Sequence, residues 1–409
     1  MFDWATCSFY SIIMTFVFSS YFSESVATNK IAGTVYWGSM ISISGLIVLL
    51  LSPILGAISD KGRNLKPWLI IFWIICWLFT GLLFFVSPHS NWTMPALVIV
   101  AVALIAYEFM QVFYNSLLIK ITSKDKIGKI SNLGFAAGYF GGIICLFISL
   151  YLIKGNLFQT SNDINIRSTF IFVSVWIIVF SLPLLIFTKD MNRPCTNESF
   201  FKMAKDGIFQ LANTVVNTKK KYLTVAKFLL VKFLYIDALN TLFAFGGIYA
   251  HGTFNFTFTQ IILFAIIINL CAGLGAVIFA HLDKYIGSKK IICLSLTGLL
   301  ISSSVILITH SHLVLYVSGA VIGIFAGPLQ ASSRCYMINI SPKEQISEMF
   351  GLYSLSGKIS NICGAFLVSL LMSIFANQRI ALSVIPIFFI IGFVLMLRMP
   401  YKNIEGKNL

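Results

Sequence analysis

The sequence predicts an all-α integral membrane protein, with twelve transmembrane helices in two pseudo-symmetric halves of six. Three observations predict it. Of 409 residues, 58% are hydrophobic and only 11% charged, with a mean hydropathy of +0.90, whereas soluble domains carry about 25% charged residues. The apolar residues fall in continuous runs of roughly 20, the length a helix needs to cross a bilayer, which favours helices over a barrel. The basic residues collect in the loops on one side of those runs.

The runs lie at about 5–27, 33–58, 67–87, 93–118, 132–153, 168–187, 225–249, 258–280, 290–310, 313–338, 349–374 and 380–397. The first begins almost at Met1 with no basic n-region and no A-x-A-like cleavage site, and it is too long for a signal peptide, so it reads as a retained span. The longest loop divides the chain into an N-terminal half (1–187), a linker (188–224) and a C-terminal half (225–409). Within the linker, Phe200, Met203, Ile208, Leu211 and Val215 have loosely helical spacing, expected of an amphipathic helix on the membrane face.

With the N-terminus inside, the inner segments hold 21 of the 29 Lys and Arg, and the outer loops hold Lys30, Lys154, Arg167 and Arg379. The positive-inside rule then places both termini in the cytoplasm. The same distribution accounts for the net charge of +15 and excludes a nucleic-acid reading. Lys227, Lys232, Arg334 and Lys358 remain in the spans, with Lys232 close enough to the inner interface to snorkel.

The costly charges are the informative ones. A charge at the bilayer centre costs roughly 2.5–3.5 kcal/mol on insertion scales and persists where it faces a cavity or a partner. Glu108, Asp237, Arg334 and Lys358 fall on the fourth, seventh, tenth and eleventh runs, whereas the third, sixth, ninth and twelfth carry none in their cores. Helical spacing builds stripes around them: Glu108, Gln111 and Asn115; Asp237, Asn240 and Thr241; Gln330, Ser333 and Arg334; Ser354, Lys358 and Asn361. Four stripes converging on one aqueous path are expected, with Glu108 and Asp237 near the midplane.

Two loops repeat. After the second run the chain reads Gly56-Ala57-Ile58-Ser59-Asp60-Lys61-Gly62-Arg63, and after the eighth Asp283-Lys284-Tyr285-Ile286-Gly287-Ser288-Lys289-Lys290. Each acidic residue closes a helix before a basic, glycine-containing turn, at corresponding places in the two halves, as in transporters built from repeats. This turn resembles the signature loop of the major facilitator superfamily, although either Arg63 stands where that pattern has glycine or the first loop is a residue shorter, and the second copy is a residue longer. Further motifs are Asp3-Trp4-Ala5, Lys66-Pro67-Trp68, Phe113-Tyr114-Asn115-Ser116, Gly138-Tyr139-Phe140-Gly141-Gly142, Tyr235-Ile236-Asp237, Gly327-Pro328-Leu329-Gln330-Ala331-Ser332-Ser333-Arg334, Phe350-Gly351-Leu352-Tyr353-Ser354-Leu355-Ser356-Gly357-Lys358 and Gln378-Arg379. Together they resemble the "unknown major facilitator" family, relatives of the fungal vacuolar amino-acid effluxers. Ala365 departs from the proline expected there, which should straighten the eleventh helix.

The resemblance implies that helices 1, 4, 7 and 10 line a cavity, that 2, 5, 8 and 11 flank it, and that Asp60, Arg63 and Asp283 form charge contacts holding one conformation closed. It implies a secondary transporter, with amino acids the leading cargo. Glu108 or Asp237 could exchange the coupling proton; Asp237 could instead pair permanently with Lys358 or a neighbour and hold helices together. Arg334 and Lys358 are candidates to meet a substrate carboxylate, and for Arg334 an ion pair with Glu344 or Glu348 is the alternative. Gly134, Gly138, Gly141 and Gly142, and Gly319, Gly323 and Gly327, give packing faces, and Pro328 a bend.

No G-x-x-x-x-G-K-[ST] loop, HExxH or CxxC occurs, so neither an ATPase nor an enzyme is expected, nor a cofactor or metal. The eight cysteines read as small buried hydrophobes; the five histidines lie at loop or helix ends, and His310 and His312 read as surface residues. A monomer in a bacterial inner membrane is expected. A transporter-like receptor that senses a metabolite without moving it is the competing class.

Overall fold

In hydrocarbon every backbone N–H and C=O must find its partner within the chain, and each apolar run closes into a helix. The computed structural model describes residues 2–60, 65–121, 127–155, 163–188, 222–341 and 346–400. The expected linker helix lies outside them.

The N-terminal half holds α1 (Phe2–Val26), α2 (Lys30–Asp60), α3 (Leu65–Leu82), α4 (Thr93–Ile121), α5 (Ile127–Lys154) and α6 (Ile164–Phe187). The C-terminal half holds α7 (Leu223–Phe254), α8 (Phe258–Ile286), α9 (Ser288–Ile308), α10 (His312–Ile340) and α11 (Ile346–Phe375), with α12 (Gln378–Leu397). In α11 the uniformly apolar part is Ile362–Phe375. The helix is continuous through Ala365.

Most helices outrun the apolar stretch that announced them, taking Lys30, Arg167, His251 and Asp283 into helical backbone. Arg167, expected in an outer loop, is 8% exposed in the first turn of α6. Its Nε donates to Phe84 O at 2.6 Å, and its guanidinium lies 5.1 Å from the Phe84 ring centroid. α1 departs from α-geometry at Phe9–Phe16 and Phe22–Val26, which are π-helical. There the backbone bonds span one extra residue, as from Val17 N to Ile12 O.

Packing repeats with helix numbers raised by six. α1 lies on α5 and α6 as α7 lies on α11 and α12; α2 on α4 as α8 on α10; α3 on α4 and α6 as α9 on α10 and α12. The halves meet through α2 with α11 and α5 with α8, which the same rule interchanges, and through α1 with α7. α3, α6, α9 and α12 pack mainly within their own halves and present apolar stripes outward, such as Ile71, Ile74 and Leu78 on α3 and Ile387, Ile390 and Val394 on α12. The sequence expectation for the third, sixth, ninth and twelfth helices agrees with this.

The described inter-half hydrogen bonds gather at the end away from the termini. Trp37 Nε1 donates to Ala244 O (3.2 Å), Ser42 Oγ to Ile362 O (3.2 Å), Ser369 Oγ to Val35 O (3.0 Å) and Gln378 Nε2 to Thr34 Oγ1 (3.2 Å). Glu24 of α1 and His251 of α7 approach to 2.7 Å. The helices come this close because small residues lie between them: a Cβ at Gly38 would lie 2.7 Å from Ala365 O, and one at Gly45 2.8 Å from Ile362 Cγ1.

Candidate functional site

On α4, Glu108 and Gln111 are one turn apart and both meet α1. Tyr10 Oη donates to Glu108 Oε1 at 2.7 Å. Gln111 Nε2 donates to Thr6 Oγ1 (3.3 Å) and to Tyr107 Oη (3.0 Å). Phe9, Tyr10 and Tyr107 stack around this group, with Phe9 and Tyr107 5.1 Å apart and Tyr10 and Tyr107 4.9 Å apart. A carboxylate is therefore held by a phenol among aromatic rings, half-buried, near the middle of its helix. The Asn115 side chain lies outside the described residues.

In the C-terminal half, Asp237 is fully buried and turned towards α11. Its Oδ1 accepts from the backbone N–H of Gly364 at 3.0 Å, and its Oδ2 has no hydrogen-bond partner among the described residues. Glycine is required opposite: a Cβ at residue 364 would fall on Thr241 Oγ1 and lie 2.8 Å from Asp237 Oδ1. Asn240 and Gln330 are half-buried. Arg334 on α10 lies near the Tyr353 phenol on α11, and the neighbouring Ser333 shares a 2.6 Å hydrogen bond with Tyr235.

The Lys358, Ser354, Asn361, Glu344 and Glu348 side chains lie outside the described residues, and with them the expected pairings of Asp237 and Arg334. So do the Asp60 side chain and all of Arg63. Asp283 lies within α8 and accepts from Ser288 Oγ at 3.3 Å across the turn, where Gly287 has φ 87°. Of the four expected stripes, Glu108 and Gln111 lie against α1, and Asp237 lies against α11.

Lys232 does not snorkel. It is 3% exposed and points at α11, where its ammonium donates to Tyr353 O and to Ser356 Oγ, the latter at 3.1 Å. His251, at the outer end of α7, is 9% exposed, with its Nδ1 2.7 Å from Phe256 O. Cys335 is exposed, whereas Cys76 and Cys145 are buried. The aromatic partners of Glu108 were missed because a tyrosine in a phenylalanine-rich helix looks like core. An apolar hollow between α1 and the C-terminal half is lined by Phe16, Phe243, Phe264, Ile268 and Ile322, with none of the sequence-predicted residues. No cluster of metal-ligating side chains occurs among the described residues.

Residues 24–405 match the family described as "Vacuole effluxer Atg22 like". An uncharacterised MFS-type transporter, YxiO, of Bacillus subtilis is 23% identical over 98% of this chain and 94% of its own. Autophagy-related protein 22 of Kluyveromyces lactis is 26% identical over 86% of this chain and 76% of its own. Among solved structures, a D-xylose–proton symporter superposes with a TM-score of 0.73 over 100% of this chain and 98% of its own, at 11% identity. The xylose transporter XylE from E. coli, partially occluded and inward open, does so at 0.69 over 100% and 96%, at 14% identity. These structural likenesses carry the fold alone.

Proposed function

Because the chain belongs to the Atg22-like vacuole effluxer family and has the fold of MFS transporters, we propose that it moves a small polar metabolite, amino acids foremost, by alternating access between its two halves. The observation that carries the reading is the polar chemistry retained at mid-membrane: Glu108 held by Tyr10, and Asp237 fully buried with Oδ2 unmatched among the described residues. Such groups are costly in a bilayer, and a purely structural bundle has no use for them. An unmatched carboxylate oxygen is satisfied by a proton or by an arriving cation, which supports proton coupling.

The two acids stand on α4 and α7, whereas the repeat relates α4 to α10 and α7 to α1; the two acids therefore act as separate stations. The basic loops support cytoplasmic termini; the reading places the chain in a bacterial inner membrane, where a monomer contains both halves of the site.

The test is uptake of labelled amino acids into proteoliposomes with and without an imposed pH gradient. Gradient-dependent uptake is expected. Glu108→Gln or Asp237→Asn should abolish accumulation and leave exchange of bound cargo measurable. Unchanged accumulation in both variants would sink proton coupling through these acids. No flux for any amino acid would move the reading to another metabolite or to a receptor.

A further inference from the structure

His251 is held in one pose near the end of α7. Asn255 takes a left-handed backbone conformation (φ 55°), and just beyond it Phe256 O lies 2.7 Å from His251 Nδ1. The ring also stacks on Phe258, with 6.0 Å between centroids. A carbonyl oxygen only accepts, so Nδ1 carries a hydrogen and donates it, and in a neutral histidine the other nitrogen then presents a lone pair. That nitrogen, Nε2, stands 2.7 Å from Glu24 Oε2 on α1. A lone pair facing a carboxylate oxygen at this distance is repelled. One more proton turns the contact into an attraction between imidazolium and carboxylate. Nε2 makes no aligned hydrogen bond among the described residues, so charge is what holds the pair.

The contact crosses the seam, with Glu24 in the N-terminal half and His251 in the C-terminal half. Free histidine sheds its charge near pH 6.5, and free glutamate near pH 4.3. Parted at neutral pH, the two groups therefore hold about one proton fewer than they hold in contact. Water can deliver that proton, since the Glu24 side chain is 35% exposed.

Other charged groups face the pair without repeating this arrangement. Asp163, on which the charges of Glu24 and Arg167 act, stands with Arg167 and Tyr21 in the same half as Glu24. The His312 ring lies 5.0 Å from that of Phe256, and Arg379 lies 5.9 Å from the Phe254 ring, both in the same half as His251. Lys30 does cross the seam, donating to Asn255 Oδ1 at 3.4 Å, but a lysine keeps its charge up to about pH 10.4. The segment 156–162 contains no titratable residue.

We propose that His251 and Glu24 form a proton-binding site at the outer seam, and that closing the halves there takes up one proton. The closed seam is favoured at low pH, and that advantage fades as pH rises above about 6.5. The site rests on the seam itself; only its part in coupling rests on the transport reading above. It would supply a proton step between the halves, whereas Glu108 and Asp237 are each held within one half.

Trp37 reports on the seam, being fully buried and donating across it to Ala244 O. Fluorinated tryptophan is incorporated into the full chain in detergent, and the Trp37 fluorine resonance is assigned by Trp37→Phe. Broadening by a water-soluble paramagnetic chelate separates the parted from the closed form. Over the two pH units above about 6.5, the closed-to-parted ratio should fall by up to about tenfold per unit, the slope of one proton. His251→Gln and Glu24→Gln should each flatten this dependence, and His312→Gln should leave it intact. If His251→Gln does not fold, Glu24→Gln decides.

A wild-type ratio independent of pH, a dependence that survives both variants, or one lost in His312→Gln would overturn the proposal. A pH-dependent seam in a chain that moves no amino acid would leave the site standing and remove the transport reading. Gradient-driven uptake unaltered by His251→Gln would overturn the part of this site in coupling and leave the transport reading in place.

Discussion

Replacing Gly364 with alanine should break the junction between α7 and α11. The new Cβ falls on Thr241 Oγ1 and within 2.8 Å of Asp237 Oδ1. Thr241 is 3% exposed and Asp237 fully buried, so neither side chain has solvent to retreat into. Overpacking of this kind costs about 1–3 kcal/mol. Displacing the carboxylate also strains or breaks its 3.0 Å bond from the Gly364 N–H, worth about 1.5–3 kcal/mol for a charged acceptor. Alanine returns about 1 kcal/mol of helix propensity. The net expectation is a loss of about 1.5–5 kcal/mol, read as a lowered unfolding midpoint of the detergent-solubilised protein. Thr241→Ala in the same chain removes the hydroxyl in the way and should recover the overpacking part. A Gly364→Ala protein within about 0.5 kcal/mol of wild type, the range of neutral surface changes, would refute the reasoning. So would a double variant no more stable than the single one.

Three further outcomes are expected. Tyr10→Phe removes the donor to Glu108 and should cost about 1–2 kcal/mol; it should also alter the pH dependence of uptake, and an unchanged profile would separate this phenol from coupling. Glu24→Gln weakens the approach to His251 across the halves, so maleimide labelling at Ser369→Cys, a position now 5% exposed, should speed up; an unchanged rate would exclude the pair from the seam. At the N-cap of α6, burial first, and then the Glu24 carboxylate, push the Asp163 carboxyl above its usual value of 3.8, against Ser25 and Arg167. The folded state thus binds this proton more tightly than the unfolded chain, and that contribution fades as pH rises from 3.8 through the raised folded value. Asp163→Asn should therefore stabilise at neutral pH and lose that advantage below 3.8, and equal stability at all pH values would contradict the assignment.

The twelve spans were legible because a bilayer enforces long apolar runs. Their ends were not, since a helix continues past its apolar part until something satisfies its terminal backbone groups, as at Arg167 and His251. The π-turns of α1 leave no mark in composition, because hydrophobic side chains are compatible with either backbone register. Charge cost singled out Glu108 and Asp237, of which the first is half-buried and the second fully buried. Their partners could not be read: Tyr10 comes from another helix, and the donor to Asp237 is a backbone N–H that any residue possesses. Lys232 was misplaced because distance along a helix gives depth, whereas its burial depends on which neighbour it faces.

The seam between the halves has an asymmetry with mechanical consequences. Trp37, Ser42 and Ser369 donate across it to the main-chain carbonyls of Ala244, Ile362 and Val35, which belong to helices and have a second lone pair for a visitor. Parting the halves strands donors but leaves each carbonyl its place in its own helix. Ser42 even keeps a fallback, since its hydroxyl also reaches Gly38 O at 2.8 Å. Each such bond then resists separation by about 0.5–1.5 kcal/mol, without the penalty of orphaning both ends. The seam behaves like a row of hooks over a fixed rail: it holds while all are engaged and releases one at a time.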